Sequence, residues 1–164
     1  AYCQDNETSW YDWERASLHG DILAFCSALI RFRMKHPVFR RPEFYTGRDT
    51  DDNQLPDITW FDESGRPPHW ASINLTLAAL IDGSPAENSA IGDDDFYLMF
   101  NASAHSIAFT VPRHPRDLLW HKVIDTSAPL PTDSILNFVS QPLQRQESCT
   151  LGARSLVVLL TVRQ

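Results

Sequence analysis

The first stretch of the chain combines aromatic rings with short carboxylate and amide side chains. These residues are Asp5, Asn6, Glu7, Trp10, Tyr11, Asp12 and Trp13. In sugar sites, rings cover the C–H faces of a pyranose, while carboxylates and amides bond to its hydroxyl groups. The same residues could instead anchor and brace a loop against a core. The sequence indicates either a sugar-binding segment or a structural loop, and both interpretations stay open at this point.

The remaining residues that could bind a metal or phosphate, or act as a nucleophile, do not have the spacing that these functions require. The chain has six histidines, and none stands at metal-ligand spacing from another His or Cys. The run Asp93–Asp95 lacks the glycine and the distal glutamate of a calcium loop, so we interpret it as a solvated turn. Glycine-rich phosphate loops and nucleophile elbows are absent from the sequence. We therefore expect no metal and no cofactor.

Composition and charge limit the classes of partner. The 164 residues are 43% hydrophobic and 21% charged, which is typical of one packed domain with or without an appendage. Lys and Arg number 14 against 21 Asp and Glu, so the net charge is −7. This balance argues against binding to nucleic acid or anionic membranes, and no apolar run approaches the ~18 residues of a membrane span. Neutral partners such as sugars remain compatible.

The cysteines and the first residues bear on localisation. Cys3, Cys26 and Cys149 are odd in number and far apart, which favours reduced thiols in a cytoplasmic protein. A Cys3–Cys149 bridge is left open. The chain begins without Met and without the basic and apolar regions of a signal peptide. We therefore expect a piece of a longer cytoplasmic protein, or a processed one.

The candidate residues lie in a chain with two regions that differ in the spacing of their apolar residues. Residues 21–36 have apolar residues at helical spacing, with acid at the start, cations near the end and Pro37 as the stop. The apolar face consists of Ile22, Phe25, Cys26, Leu29, Ile30 and Phe32. The rest of residues 1–47 offers little to cover this face, so the helix is expected to lack a partner within the chain.

After a polar connector at 48–57, the period changes to two, which is typical of strands. Strands are predicted at 58–61, 73–81, 96–100, 107–111, 118–124, 144–149 and 156–162. Asn101–Ala104 is predicted to be the hairpin connection between two of them, and Trp60, Trp70 and Trp120 are expected in the core. Short strands separated by Pro, Gly and Asp turns predict an antiparallel β-sandwich over residues 58–164.

Several segments together are similar to a known family. Tyr2–Glu7, Ser9–Trp13, His36–Arg41, Asp57–Phe61 and Asp94–Ala102 closely resemble bacterial glycogen debranching enzymes, in the same order. These are isoamylase-type α-1,6-glucosidases of the α-amylase superfamily. The likeness extends over almost the whole chain, and its first hexapeptide and its His-Pro-x-Phe-Arg-Arg run are fairly specific.

The resemblance implies a domain arrangement. Family members have a (β/α)₈ barrel followed by a C-terminal β-sandwich. Residues 1–47 then correspond to the closing loop and last helix of a truncated barrel, 48–57 to a connector and 58–164 to the sandwich. The family's catalytic carboxylates belong to barrel segments earlier than Ala1, so no catalytic residue is expected here and the chain alone should be inactive. The parent enzyme would hydrolyse α-1,6 branch linkages through a covalent glycosyl-enzyme intermediate.

The resemblance also implies candidate substrate contacts. They are Tyr2, Gln4, Asp5, Asn6 and Glu7, on a loop at the mouth of the barrel. These side chains either bond glucose hydroxyls away from the scissile bond or brace the loop. The implied partners are the missing barrel and, through the parent enzyme, an α-glucan such as glycogen, limit dextrin or a maltooligosaccharide. The alternative is a stand-alone β-sandwich that binds α-glucan or acts as a structural module.

Overall fold

The computed structural model describes residues 2–72, 74–85, 92–128 and 140–162. Two helices come first, α1 at Arg15–Leu18 and α2 at Gly20–Lys35, followed by a 3₁₀ turn at Pro37–Arg40. Helix α2 ends where the sequence predicts, because His36 adopts an extended conformation before Pro37. The short helix α1 was not predicted.

Within the described ranges, eight strands follow the helices. They are β1 Ile58–Phe61, β2 Thr76–Ile81, β3 Phe96–Asn101, β4 Ile107–Thr110, β5 Trp120–Asp125, β6 Gln141–Pro142, β7 Ser148–Leu151 and β8 Ser155–Thr161. Six of them form one sheet in the order β1-β2-β3-β8-β5-β6, and β4 pairs with β7 in a second, two-stranded sheet. All strand pairs are antiparallel, so the predicted fold class is confirmed.

Some predicted strand limits are wrong. Strand β2 starts at Thr76, and Leu75, which precedes it, is 55% exposed. The predicted start, Ile73, lies outside the described residues. The predicted strand at 144–149 is shifted toward the C-terminus, because 144–147 form the turn that precedes β7. Alternating apolar residues do not mark strand ends, which depend on where the neighbouring strand stops pairing.

The inner core fills the space between the two sheets. Its side chains come from alternate positions of β2, β3 and β8 on one side and from β4 and β7 on the other. Tyr97, Trp120 and Phe109 are its largest members, each at most 1% exposed. The Trp120 indole Nε1 donates to the Pro112 carbonyl at 2.8 Å, so its one polar group is satisfied inside the core. The predicted core position of Trp120 is confirmed.

The hairpin predicted at Asn101–Ala104 is wrong. Strand β3 pairs with β2 and β8, whereas β4 crosses to the second sheet and pairs with β7. The Asn101 side chain, 2% exposed, holds this crossing: its amide donates to the carbonyls of His105 at 2.8 Å and Gly152 at 2.7 Å. Strands that are consecutive in the sequence form a hairpin only when both lie in the same sheet. The connection between β3 and β4 leads from the six-stranded sheet to the two-stranded one.

Helix α2 has a partner within the chain, contrary to the expectation from the sequence. Phe32 is 5% exposed and meets the edge of the Phe96 ring, with a centroid distance of 5.9 Å. Val38 and Phe39 of the 3₁₀ turn pack on the same outer face of the six-stranded sheet. The end of the helix is therefore part of a second hydrophobic core, which the sequence could not show because β3 follows about 60 residues later.

The connector at 48–57 is not simply a solvated loop. Leu55 is 3% exposed and belongs to the inner core. Asp57 accepts hydrogen bonds from the backbone amides of Thr46 and Gly47, both at 2.7 Å, and from the Thr46 hydroxyl at 3.1 Å. Burial opposes ionisation of Asp57, but these hydrogen bonds outweigh it and lower the pKa of the carboxyl. The carboxylate therefore fixes the loop that joins the helical segment to β1.

Candidate functional site

Three of the five candidate substrate contacts take part in hydrogen bonds within the loop at residues 2–10. The Asn6 side-chain amide donates to Gln4 Oε1 at 2.9 Å. The Trp10 indole Nε1 donates to Asp5 Oδ1 at 2.8 Å. The Ser9 hydroxyl donates to the Gln4 carbonyl. These contacts fix the shape of the loop, and every residue in it is exposed.

The other two candidates, Tyr2 and Glu7, lie on the surface of this loop. Tyr2 is 94% exposed. In the described part of the chain, no hydrogen bond to the Glu7 side chain is present. The carboxylate therefore keeps its acceptor oxygens for a ligand or for water. The predicted set thus divides into residues that brace the loop and residues that face outward.

The neighbouring aromatic residues are exposed rather than packed in a core. Trp10, Tyr11 and Trp13 are 64%, 69% and 78% exposed. The rings of Tyr11 and Trp13 lie 5.1 Å apart at an angle of 60°. The alternative in which these rings anchor the loop to a core within this chain is therefore wrong. They are available to a sugar or to another protein surface.

Helix α2 carries a second exposed apolar surface. Ile22, Cys26, Ile30 and Met34 follow one another at intervals of four residues, which places them on one side of the helix. Ile22, Ile30 and Met34 are 52–64% exposed, and Cys26 is exposed too. We call these four residues the helix stripe. With 3.6 residues per turn, the stripe lies roughly opposite the side of the helix that carries the buried residues Ala28 and Phe32.

The run Asp93–Asp95 is not a solvated turn, so this prediction is wrong. Asp93 Oδ1 lies 2.7 Å from His36 Nδ1, and Asp93 Oδ2 accepts the Val38 amide at 3.2 Å. The side chains of His36 and Asp93 are only 4% and 7% exposed. The pair therefore ties the end of helix α2 to the segment that leads into β3. This pairing of distant residues leaves no trace in a single sequence.

Asp95 belongs to a separate buried network. Its carboxylate accepts the Gly83 amide at 2.8 Å, lies 3.0 Å from His114 Nε2 and is paired with the Arg116 guanidinium. Both Asp95 and His114 have fully buried side chains, while that of Arg116 is 35% exposed. Burial, together with the proximity of Asp95, raises the pKa of the neighbouring Asp82 carboxyl. Because the Asp95 carboxylate is hydrogen-bonded on several sides, we interpret the network as structural. The sequence analysis did not predict it.

His36, Asp93 and Asp94 are the described residues that come closest to a metal site. One ligand atom from each lies within 4.8 Å of the others. However, both Asp93 oxygens already serve His36 and the backbone of the 3₁₀ turn. The expected absence of a metal stays a prediction.

Trp60 and Trp70 lie on the surface, which contradicts their predicted place in the core. They are 38% and 67% exposed, and their rings meet edge to face at 5.9 Å. Trp60 is on β1, an outer strand of the large sheet, and its side chain is on the face opposite the inner core. Strand periodicity identifies an apolar face but does not tell whether the chain itself supplies a cover for it.

The cysteines are free thiols. Cys3 and Cys26 are exposed and Cys149 is buried, so the Cys3–Cys149 bridge left open from the sequence is not formed. Burial raises the pKa of the Cys149 thiol. Of the helices in the described ranges, none has the length and apolar character to cross a bilayer.

The fold and the surface features define a class: a β-sandwich domain with an attached helical segment. Residues 57–160, more than half of the chain, match the family described as "Isoamylase, C-terminal". The chain belongs to this family of C-terminal domains of isoamylase-type enzymes. The resemblance stated from the sequence is confirmed.

Relatives and solved structures agree with this assignment. The chain is 30% identical to a "Glycogen operon protein GlgX homolog" of Mycobacterium tuberculosis, over 96% of its own length and 22% of that protein. It is 31% identical to an isoamylase of Flavobacterium, over 77% of the chain and 16% of the relative. A pullulanase of Bacillus acidopullulyticus superposes with a TM-score of 0.56 at 18% identity, over 92% of this chain and 15% of that one. The chain therefore spans about a fifth or less of these proteins.

Proposed function

We propose that this chain is the C-terminal part of a glycogen debranching enzyme that hydrolyses α-1,6-glucosidic branch linkages. The single observation that carries the proposal is the family match over residues 57–160. The shared region is only about a fifth of the length of the GlgX homolog, which agrees with a chain that is part of a longer enzyme. In this proposal residues 1–47 come from the closing loop and last helix of the barrel, 48–57 are the connector and 58–164 are the sandwich. The enzyme would act in the cytoplasm.

The two-sided helix supports this domain assignment. One side of α2 packs on the sandwich through Phe32 and Leu29, while the helix stripe is apolar and uncovered. A helix that is apolar on opposite sides is typical of one buried between two layers. The preceding barrel would supply the second layer. The helix would then belong to the barrel and would also join it to the sandwich.

The loop at 2–10 would contribute to substrate binding in the assembled enzyme. Gln4 and Asn6 would preserve the loop conformation through their mutual hydrogen bond, and Asp5 through its bond to Trp10. The remaining acceptor positions could bond sugar hydroxyls. Tyr2 and Glu7 would contact the glucan directly. No residue of this chain would act on the scissile bond, because the family resemblance implies that the two carboxyl groups of the retaining mechanism belong to barrel segments earlier than Ala1.

The test compares this chain with the native protein. An antibody against the chain should detect a native protein far larger than 18.7 kDa. That larger protein should release reducing ends and linear chains from glycogen or limit dextrin, and the 164-residue chain should release none. A native band at the mass of the chain, or hydrolysis by the chain alone, would contradict the proposal.

A second candidate function is favoured by the exposed Tyr11–Trp13 pair. Exposed rings of this kind can serve as contacts for an α-glucan, so the chain could bind glucan without hydrolysing it. Retardation of the isolated chain in a glycogen-containing gel, lost in Trp13→Ala, would support this function. Unchanged mobility would remove it.

A further inference from the structure

The one polar atom of the Trp10 side chain is bonded to a candidate substrate contact. The indole Nε1 donates to Asp5 Oδ1 at 2.8 Å. The Trp10 ring is 64% exposed, so it is not an apolar anchor within this chain. Because an indole nitrogen can only donate, the bond engages one oxygen of the carboxylate and restricts where the other oxygen can point.

The backbone of the loop at residues 2–10 is held by bonds that do not involve the indole ring. The Ser9 hydroxyl donates to the Gln4 carbonyl. The backbone amides of Ser9 and Trp10 both donate to the Asn6 carbonyl, at 2.9 and 3.0 Å. These bonds define the course of the chain whether or not the indole N–H is engaged. The bond from Trp10 therefore adds a fixed orientation of one side chain, that of Asp5.

The second oxygen of the Asp5 carboxylate is available to a ligand. Within the ranges that the structure describes, the one hydrogen bond to the Asp5 side chain is that from Trp10 to Oδ1. The free Oδ2 can accept hydrogen bonds from hydroxyl groups. The exposed indole ring lies directly beside it. An oriented carboxylate next to an aromatic ring matches the hydroxyl groups and the C–H face of a pyranose.

We propose that Trp10 is a positioning residue for α-glucan binding: its indole N–H holds the Asp5 carboxylate so that the free oxygen is oriented before the glucan binds. This inference rests on the proposed function, in which Asp5 contacts the glucan. An exposed aspartate without such a bond samples several side-chain conformations, and binding must then select one of them. A carboxylate that is already oriented avoids this loss of entropy. The contribution of Trp10 is therefore to glucan affinity and not to the chemical step.

Direct stacking of the Trp10 ring on a sugar is the competing role. Stacking depends on the face of the ring and requires neither the indole N–H nor Asp5. The positioning role depends on both of these groups. Replacement by phenylalanine separates the two roles, because Trp10→Phe keeps an aromatic ring at this position but removes the N–H donor.

The experiment is a double-mutant cycle in the full-length enzyme, with Trp10→Phe, Asp5→Ala and the combined variant. It measures kcat and KM for hydrolysis of limit dextrin, and the Kd of maltoheptaose by isothermal titration calorimetry. Trp10→Phe should raise KM and Kd about fivefold and leave kcat within about twofold of wild type. Asp5→Ala should raise both constants at least as much, and the combined variant should not exceed Asp5→Ala. Trp70→Phe is the matched control, at a ring of similar exposure outside the loop, and should leave KM and Kd unchanged.

Four results would overturn the positioning role. Wild-type constants in Trp10→Phe would mean that the indole N–H does not contribute to binding. Effects that multiply in the combined variant would assign Trp10 a contact of its own, such as stacking. A reduced kcat together with a lower melting temperature in Trp10→Phe would indicate a purely structural role in the loop. An unchanged Kd in Asp5→Ala would remove the contact that Trp10 is expected to orient.

The two readouts keep this inference apart from the proposed function. A full-length protein that binds maltoheptaose but leaves branch linkages intact would contradict the proposed function, and the Kd values of the cycle would still decide the role of Trp10. Hydrolysis of branch linkages with no effect of Trp10→Phe would contradict the positioning role alone. A protein that neither binds maltoheptaose nor hydrolyses limit dextrin would contradict both.

Discussion

Replacement of Phe32 by alanine tests whether helix α2 is an integral part of the domain in this chain. Phe32 is 5% exposed and its ring lies within 6 Å, centroid to centroid, of His36, Phe39 and Phe96. The contact with Phe96 holds the end of the helix against the outer face of the sheet, and the contacts with His36 and Phe39 join it to the 3₁₀ turn. The substitution therefore removes the principal contact between the helix and the sandwich.

The magnitude follows from the buried area. Loss of a buried ring exposes or empties roughly 100–150 Å² relative to alanine, which at about 25 cal/mol/Å² corresponds to about 2.5–4 kcal/mol. A residual cavity adds to this cost, and buried Phe→Ala substitutions destabilise by about 3–5 kcal/mol. At about 2–4 °C per kcal/mol for a domain of this size, the melting temperature should fall by about 10 °C.

Ile30→Ala is the matched control on the same helix. Ile30 is 64% exposed and lies on the helix stripe, so its truncation should change the stability of the isolated chain by less than ~0.5 kcal/mol. Urea unfolding would be followed by circular dichroism for the helix and by fluorescence with the buried Trp120 as the core probe. For wild-type protein we expect the two transitions to coincide.

Two results would refute this reasoning. Equal stability of Phe32→Ala and Ile30→Ala would mean that the helix does not depend on the sheet. Wild-type loss of helical signal well before the fluorescence transition would mean that α2 detaches as a separate unit. In either case the second hydrophobic core would contribute little to the stability of the sandwich.

Three further predictions concern the buried polar groups and the thiols. Asp57→Asn should destabilise the protein by about 1–3 kcal/mol at pH 7, measured by urea unfolding. The folded-state pKa of Asp57 is lowered, so its stabilising contribution is fully present above the ordinary carboxyl pKa and is lost as the pH falls through the folded-state pKa. The free energies of unfolding of the mutant and of wild type should therefore become equal in acid. Asp95→Ala should cost about 3–5 kcal/mol by leaving its buried partners uncompensated; a loss below 1 kcal/mol would contradict the network. With a thiol reagent at neutral pH, Cys3 and Cys26 should react within minutes and Cys149 only after unfolding; rapid reaction of all three thiols would contradict the burial of Cys149.

Much of the fold could be predicted from the sequence because the relevant signals are local. The end of helix α2 follows from the conformational restriction before Pro37, and the strand segments follow from side chains that alternate between two faces. The family was recognised from short segments such as Tyr2–Glu7. The candidate substrate contacts follow from the same resemblance. The local sequence pattern does not distinguish a carboxylate that braces a loop from one that binds a sugar, because both are the same residue type.

Long-range pairing could not be predicted, because it depends on which distant segments meet. The Asp93 pair with His36 and the Asp95 network join residues 12–57 positions apart, so the interpretation of the acidic run as a solvated turn is wrong. The crossing of β4 to the second sheet depends on Asn101 contacts with carbonyls on two separate segments.

The order of residues sets how apolar each helix side and strand face is, whereas packing in three dimensions sets which of these surfaces are covered. Helical spacing places Phe32 and Ile30 on the same apolar helix, yet only Phe32 is buried. Strand alternation makes Trp60 and Phe96 equally apolar members of the outer face, yet only Phe96 lies under the helix. The physical reason is that hydrophobic character belongs to a residue, while burial requires a second surface at the right distance, which only another part of the folded chain or a binding partner can supply.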